Sequence, residues 1–146
     1  MKATLVLAAG LGDATDAANG RYGAEALRRA AGVAARTLHG STKAGFALPA
    51  SDAPSIEAVA LGGLLGAYTL TALLSKKGAA DMKSPLSEIV LLGADSDDKT
   101  VRAAVERATV LAEEINRTRD LVNMPPKICF LNRLPTPLAW PARDSA

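Results

Sequence analysis

Few residues in this chain have types and spacing suited to chemistry. Gly10-Leu11-Gly12 follows an apolar run, where a phosphate-cradling loop could sit. The third glycine of a dinucleotide fingerprint is missing, since position 15 is Thr15, and no Gly-Lys-Ser/Thr follows. A plain turn is the simpler reading. Glu113 and Glu114 are adjacent, so on a helix they diverge by roughly 100° and cannot act as a catalytic pair by themselves. The single histidine, His39, excludes a site needing two imidazoles, and it precedes Gly40 where a helix should stop. The single cysteine, Cys129, excludes an intramolecular disulfide and any multi-cysteine metal site, and it has no histidine near it in sequence. Gly62 and Gly66, four apart, point to close backbone packing on one helix face. These residues do not assemble a nucleophile, a base and oxyanion donors.

The elements that would position them follow from periodicity. The chain has 146 residues, 49% of them hydrophobic and 22% charged, which suits one globular domain with a real core. Aromatics are only 3%, so Ala, Leu and Val must fill that core. A formal net charge of +2 is too small a surplus to indicate a nucleic-acid partner. The N-terminal apolar run is about six residues, short of the ~7–15 of a secretory signal, and no stretch approaches the ~20 apolar residues of a membrane span. A cytoplasmic location is the expectation.

Residues 3–8 read as a buried strand and 13–22 as a loop. Residues 24–38 read as a helix, with Leu27, Ala31, Ala34 and Leu38 on its inner side. Residues 44–48 suit a second strand closed by Pro49. Asp52 and Pro54 then open a helix over 55–75, apolar on nearly every side, with Lys76 and Lys77 placed to favour its dipole. Residues 78–84 read as loop and 89–92 as a third strand. Asp95, Asp97 and Asp98 precede a long helix over 99–123, which Pro125 and Pro126 must end. Strand–helix alternation of this kind predicts an α/β fold around a short, mainly parallel sheet. Three strands make a thin sheet, which suggests part of a larger domain.

Three segments carry a family resemblance: Ala30-Ala31-Gly32-Val33-Ala34-Ala35-Arg36-Thr37-Leu38, the run from Glu57 to Tyr68, and Arg119-Asp120-Leu121-Val122-Asn123-Met124-Pro125-Pro126. In this order and spacing they resemble the leucine aminopeptidase (cytosol aminopeptidase) family of metallo-exopeptidases, over about residues 3–126. The resemblance implies a partial, macro-like three-layer N-terminal domain over 1–97. It also implies a linker helix and Asn-x-Pro-Pro turn over 98–126, leading toward a catalytic domain. Family members remove N-terminal residues from peptides, as hexamers, with two divalent ions, zinc or manganese, in the C-terminal domain. The family's metal-ligand segments, Asp-[Ser/Thr]-Gly-Gly and Asn-Thr-Asp-Ala-Glu-Gly-Arg, do not occur in these 146 residues. No catalytic, cofactor-binding or metal residue is therefore assigned, and the chain is expected to be an inactive, truncated homologue. Peptide substrates and hexamer assembly are implied only for the full-length family; neither nucleic acid nor membrane is an expected partner. The alternative is a small α/β nucleotide-binding or subunit-assembly module.

Residues 127–146 depart from the family. The chain reads Lys127-Ile128-Cys129-Phe130-Leu131-Asn132-Arg133-Leu134-Pro135-Thr136 where relatives continue with a segment like Asn-Asp-Leu-Tyr/Phe-Pro-Glu-Ser-Phe-Ala. Joining the last base of each codon to the next two permits Asp-Leu-Phe-Pro-Glu-Ser-Phe-Ala-Asp with suitable synonymous codons. This suggests a one-base deletion near codon 127, in the gene or its recorded sequence. The tail, with Pro135, Pro137 and Pro141, then reads as an out-of-frame, disordered peptide.

Overall fold

A computed structural model describes residues 5–12, 22–70 and 82–124. The elements run α1 (Ala24–Thr37), β1 (Lys43–Phe46), α2 (Ala53–Gly66), β2 (Glu88–Leu91) and α3 (Lys99–Asn123). Among the described residues the sheet has two strands, β1 and β2, paired in parallel with Lys43 opposite Glu88 and Phe46 opposite Leu91. Parallel neighbours need a crossover, and α2 supplies it. The ladder continues past both ends: Glu88 N–H donates to Thr42 O at 3.0 Å and Leu92 N–H to Phe46 O at 2.9 Å.

The expected α/β architecture is present, with three corrections. Residues 5–8 are not a strand; Leu5 is 68% and Val6 84% exposed. An apolar run becomes a strand only where a neighbour satisfies its backbone groups. Here the segment faces β1 across an open cavity of about 760 Å³ instead of pairing with it. The strand expected over 44–48 is instead Lys43–Phe46. Pro49 cannot donate to a ladder, and Ala50 N–H turns back to Leu48 O at 2.8 Å. The helix expected to reach Ser75 ends at Gly66, with Ala67 as its C-cap. Gly62, Gly63 and Gly66 each weaken its end by roughly 1 kcal/mol relative to alanine. Lys76 and Lys77, like Cys129 and the whole tail from 127, lie outside the described residues. So do Thr15 and most of the loop expected over 13–22. The long helix has the bounds its sequence predicts.

Local chemistry sets the helix ends. In α1, Leu27, Ala30, Ala31 and Ala35 form the buried stripe, while Glu25 in the first turn is bonded to Arg28 and Arg29. Gly40 ends the segment in the left-handed region at φ 99°, and its N–H reaches Ser84 O at 2.7 Å. In α2, the Asp52 carboxylate accepts from Ser55 N–H at 2.9 Å, with Pro54 in the first turn. In α3, Asp98 Oδ1 accepts from both Thr100 N–H and Thr100 Oγ1 at 2.7 Å.

α2 is the central element, with α1 and α3 both packed on it and the sheet beneath. Each side of α2 uses a different device. Toward α1, Gly62 and Gly66 bring the two backbones together: a Cβ on Gly62 would strike Arg28 O, and one on Gly66 would strike Gly32 O. Toward the sheet, Gly63 leaves room for Phe46 and Ile89. The main core cluster joins Leu27, Ala31, Ala35, Phe46, Val59 and Leu86. Fully covering α2 is what its all-round apolar sequence requires.

Candidate functional site

Among the described residues, those singled out for chemistry do not converge. Gly12 lies in the left-handed region at φ 98°, and among the described residues open space surrounds a Cβ placed on Gly10. Glu113 is exposed, and exposed Glu114 pairs with Arg117 one turn on at 3.1 Å. His39 sits just past α1 as expected. Its Nε2 is buried without a hydrogen-bond partner among the described residues. Gly62 and Gly66 serve the α1 crossing. No group of three or more His, Cys, Asp or Glu among the described residues could hold a metal ion. The donor set for the two-ion centre implied by the family resemblance is thus not found there. No described helix is long and apolar enough to cross a membrane.

The built feature is the docking of α3 on α2. Ala104, Ala108 and Ala112 recur every four residues and are almost fully buried. Small side chains at this spacing let the helices approach closely. Two polar contacts flank that seam. At the N-terminal end of α2, the Arg107 guanidinium pairs with Glu57 at 3.0 Å. These two charges, with Glu25 and Arg28, line an open cavity of about 360 Å³ whose remaining walls are largely alanine, Pro54 and Leu61.

At the other end of the seam, α3 holds the C-terminus of α2. Arg119 Nη1 donates to Leu65 O at 3.1 Å and to Asn116 Oδ1 at 3.2 Å, and its guanidinium lies 5.4 Å from the Tyr68 ring centroid. Tyr68 Oη donates to Asp120 Oδ1 at 2.7 Å. That bond, first, and partial burial hold the Tyr68 hydroxyl above its ordinary pKa, because deprotonation would set a phenolate beside a carboxylate. The Asn123 amide in turn donates to Arg119 O at 2.8 Å. The last turn of α2 contains no basic residue of its own. Arg119, from another helix, supplies a cation there; the expectation for Lys76 and Lys77 lies outside the described residues. Local sequence could not reveal this pairing, because Tyr68 and Asp120 are 52 residues apart.

Beyond the docked seam, α3 exposes Leu111, Ile115 and Val122, the last at 79%. Among the described residues these contacts do not converge on a reaction centre. The capacity of the arrangement is mechanical: a long helix is fixed to a small α/β unit, with its far end extending toward Asn123 and Met124.

A sequence model of the cytosol aminopeptidase family, N-terminal domain, matches residues 1–77. The chain belongs to the cytosol aminopeptidase family. Among curated relatives it is 54% identical to a "Probable cytosol aminopeptidase" of Streptomyces griseus over 136 residues, covering 86% of this chain and 26% of that protein. It is 50% identical to the corresponding protein of Streptomyces avermitilis, covering 86% and 25%. Two solved structures of the bottromycin maturation enzyme BotP superpose with TM-scores of 0.62 and 0.60. They are 29% and 28% identical, and both cover 82% of this chain. One of them is a complex with Mn. The chain spans about a quarter of the length of the curated relatives it matches. Within the cytosol aminopeptidase family, the matched residues 1–77 contain α1, β1 and α2.

Proposed function

We propose that these residues are the N-terminal α/β unit and linker helix of a metal-dependent aminopeptidase, and that they do not hydrolyse peptides on their own. The observation that carries the reading is the combination of family membership with the missing donor set. The chain matches the N-terminal domain of a cytosol aminopeptidase, yet the family's two metal-ligand segments are absent from its 146 residues. A two-ion peptidase needs those ligands to activate water and to polarise the scissile carbonyl. The zinc or manganese centre, the peptide substrates, the hexamer and a cytoplasmic location thus attach to the full-length enzyme of which this would be one part. The division into a domain over 1–97, a linker over 98–126 and a separate tail over 127–146 fits the observed end of α3 at Asn123.

The test is hydrolysis of a leucine chromogenic amide by the purified 146-residue chain, loaded in turn with Mn²⁺ and Zn²⁺. The expected rate equals that of the metal-containing buffer. Metal-dependent turnover that co-purifies with the chain overturns the reading.

A further inference from the structure

We propose that Tyr68, Arg119 and Asp120 form a clamp that locks the C-terminal half of α3 onto the end of α2, and thereby sets the direction in which α3 carries the chain onward. The seam of buried alanines runs only from Ala104 to Ala112. From there to Asn123, Ile115 and Val122 are exposed and Leu121 is only half-buried, so apolar burial holds this half of the helix less firmly than the alanine seam holds the first. Among the described residues, the polar contacts that tie it to α2 and its exit are concentrated in two adjacent residues.

Arg119 serves three partners at once: the Leu65 carbonyl, the Asn116 side chain and the Tyr68 ring. The Leu65 carbonyl lies in the last turn of α2, where helix carbonyls lack intrahelical donors and the dipole favours a cation. Asp120 takes the Tyr68 hydroxyl in a short charge-assisted bond. Tyr68 itself lies two residues past the end of α2, in a segment with no helical hydrogen bonds to fix it. Each partner therefore orders the other: α3 pins the exit from α2, and that exit pins α3. The groups facing the Tyr68 hydroxyl are Asp120, Arg119 and Asn123, all on α3. That the clamp orients a following catalytic domain rests on the function proposed above; the clamp itself does not.

The test is backbone hydrogen exchange on the full 146-residue chain, comparing the parent with Y68F, D120N and the double variant. Amides of the last two turns of α3 should exchange about five- to tenfold faster in Y68F, as expected for loss of one net hydrogen bond, and less so in D120N, where the Asn side-chain oxygen can still accept from Tyr68. Those of α1 and of the first half of α3 should change less than about twofold. The double variant should match Y68F, because without the hydroxyl the side chain at 120 has no bond to Tyr68 left to lose. Unchanged exchange at the end of α3, or additive effects in the double variant, overturns the proposal. Ultraviolet titration of tyrosine ionisation is a second readout that general loosening would not reproduce. D120N should lower the titration of the residue that Y68F removes, and a titration unmoved by D120N refutes the clamp even if Y68F fails to fold. Peptidase turnover by this chain would overturn the proposed function and leave these exchange results standing.

Discussion

Asp98 shows how one exposed side chain can start a long helix. Its Oδ1 accepts two bonds from Thr100, and these hold its carboxyl below the ordinary carboxylate pKa, the side-chain bond contributing most and the backbone bond next. A pKa lowered in the folded state means stability that is present above the unfolded value and is lost as pH falls through the folded one. Replacing Asp98 with alanine should lower the urea midpoint at neutral pH. The gap between the two proteins should close on acidification below the ordinary carboxylate range of about 4. A gap that persists at low pH would mean that Asp98 acts by something other than its charge. Tyr68 has the opposite sign. Its pKa is raised by Asp120, so its contribution is complete below about 10 and fades as pH rises through the folded value.

At the scale of elements, α2 is the member that tolerates least change. It meets α1 through backbone, not side chains, at Gly62 and Gly66. Gly62→Ala would add helix propensity, up to about 1 kcal/mol. Its methyl would also overlap the Arg28 carbonyl, which is backbone inside a helix and cannot swing away. The expected net result is a loss of about 1–3 kcal/mol, read as a lower urea midpoint at unchanged slope. A stabilised G62A protein would show that the helices separate readily. Gly32 is more permissive, since a Cβ there would sit 3.3 Å from Gly62 O. The helix periods of α1 and α3 were legible in sequence because each buries one stripe against α2. The end of α2 was not: its apolar composition continues past Gly66, while the helix stops where Tyr68 turns to a partner on α3.

At the scale of the whole molecule, the out-of-frame reading of residues 127–146 makes a prediction at the nucleotide level. Nucleotide sequencing through codon 127 should show codons that spell Asp-Leu-Phe-Pro-Glu-Ser-Phe-Ala-Asp one frame away; codons that cannot do so end the idea. Leu5, Val6, Leu111, Ile115 and Val122 are exposed apolar side chains, and in the aminopeptidase proposed above they are the surface available to the rest of the enzyme.

The division between chain and fold follows from the range of the forces involved. Helix periodicity, the Asp52 and Asp98 caps and the stop at Gly40 arise from contacts within a few residues, so the order of residues was enough to place α1, α3 and the start of α2. The family motifs were also legible as letters, ending in Asn123-Met124-Pro125-Pro126. Pairing across long separations was not. Whether residues 5–8 gain a strand neighbour, where α2 ends, and that Arg119 reaches the Leu65 carbonyl all depend on which groups the fold brings within hydrogen-bonding reach. A backbone group or a charge bonds to whatever lies about 3 Å away, and in a folded chain that neighbour can be fifty residues distant.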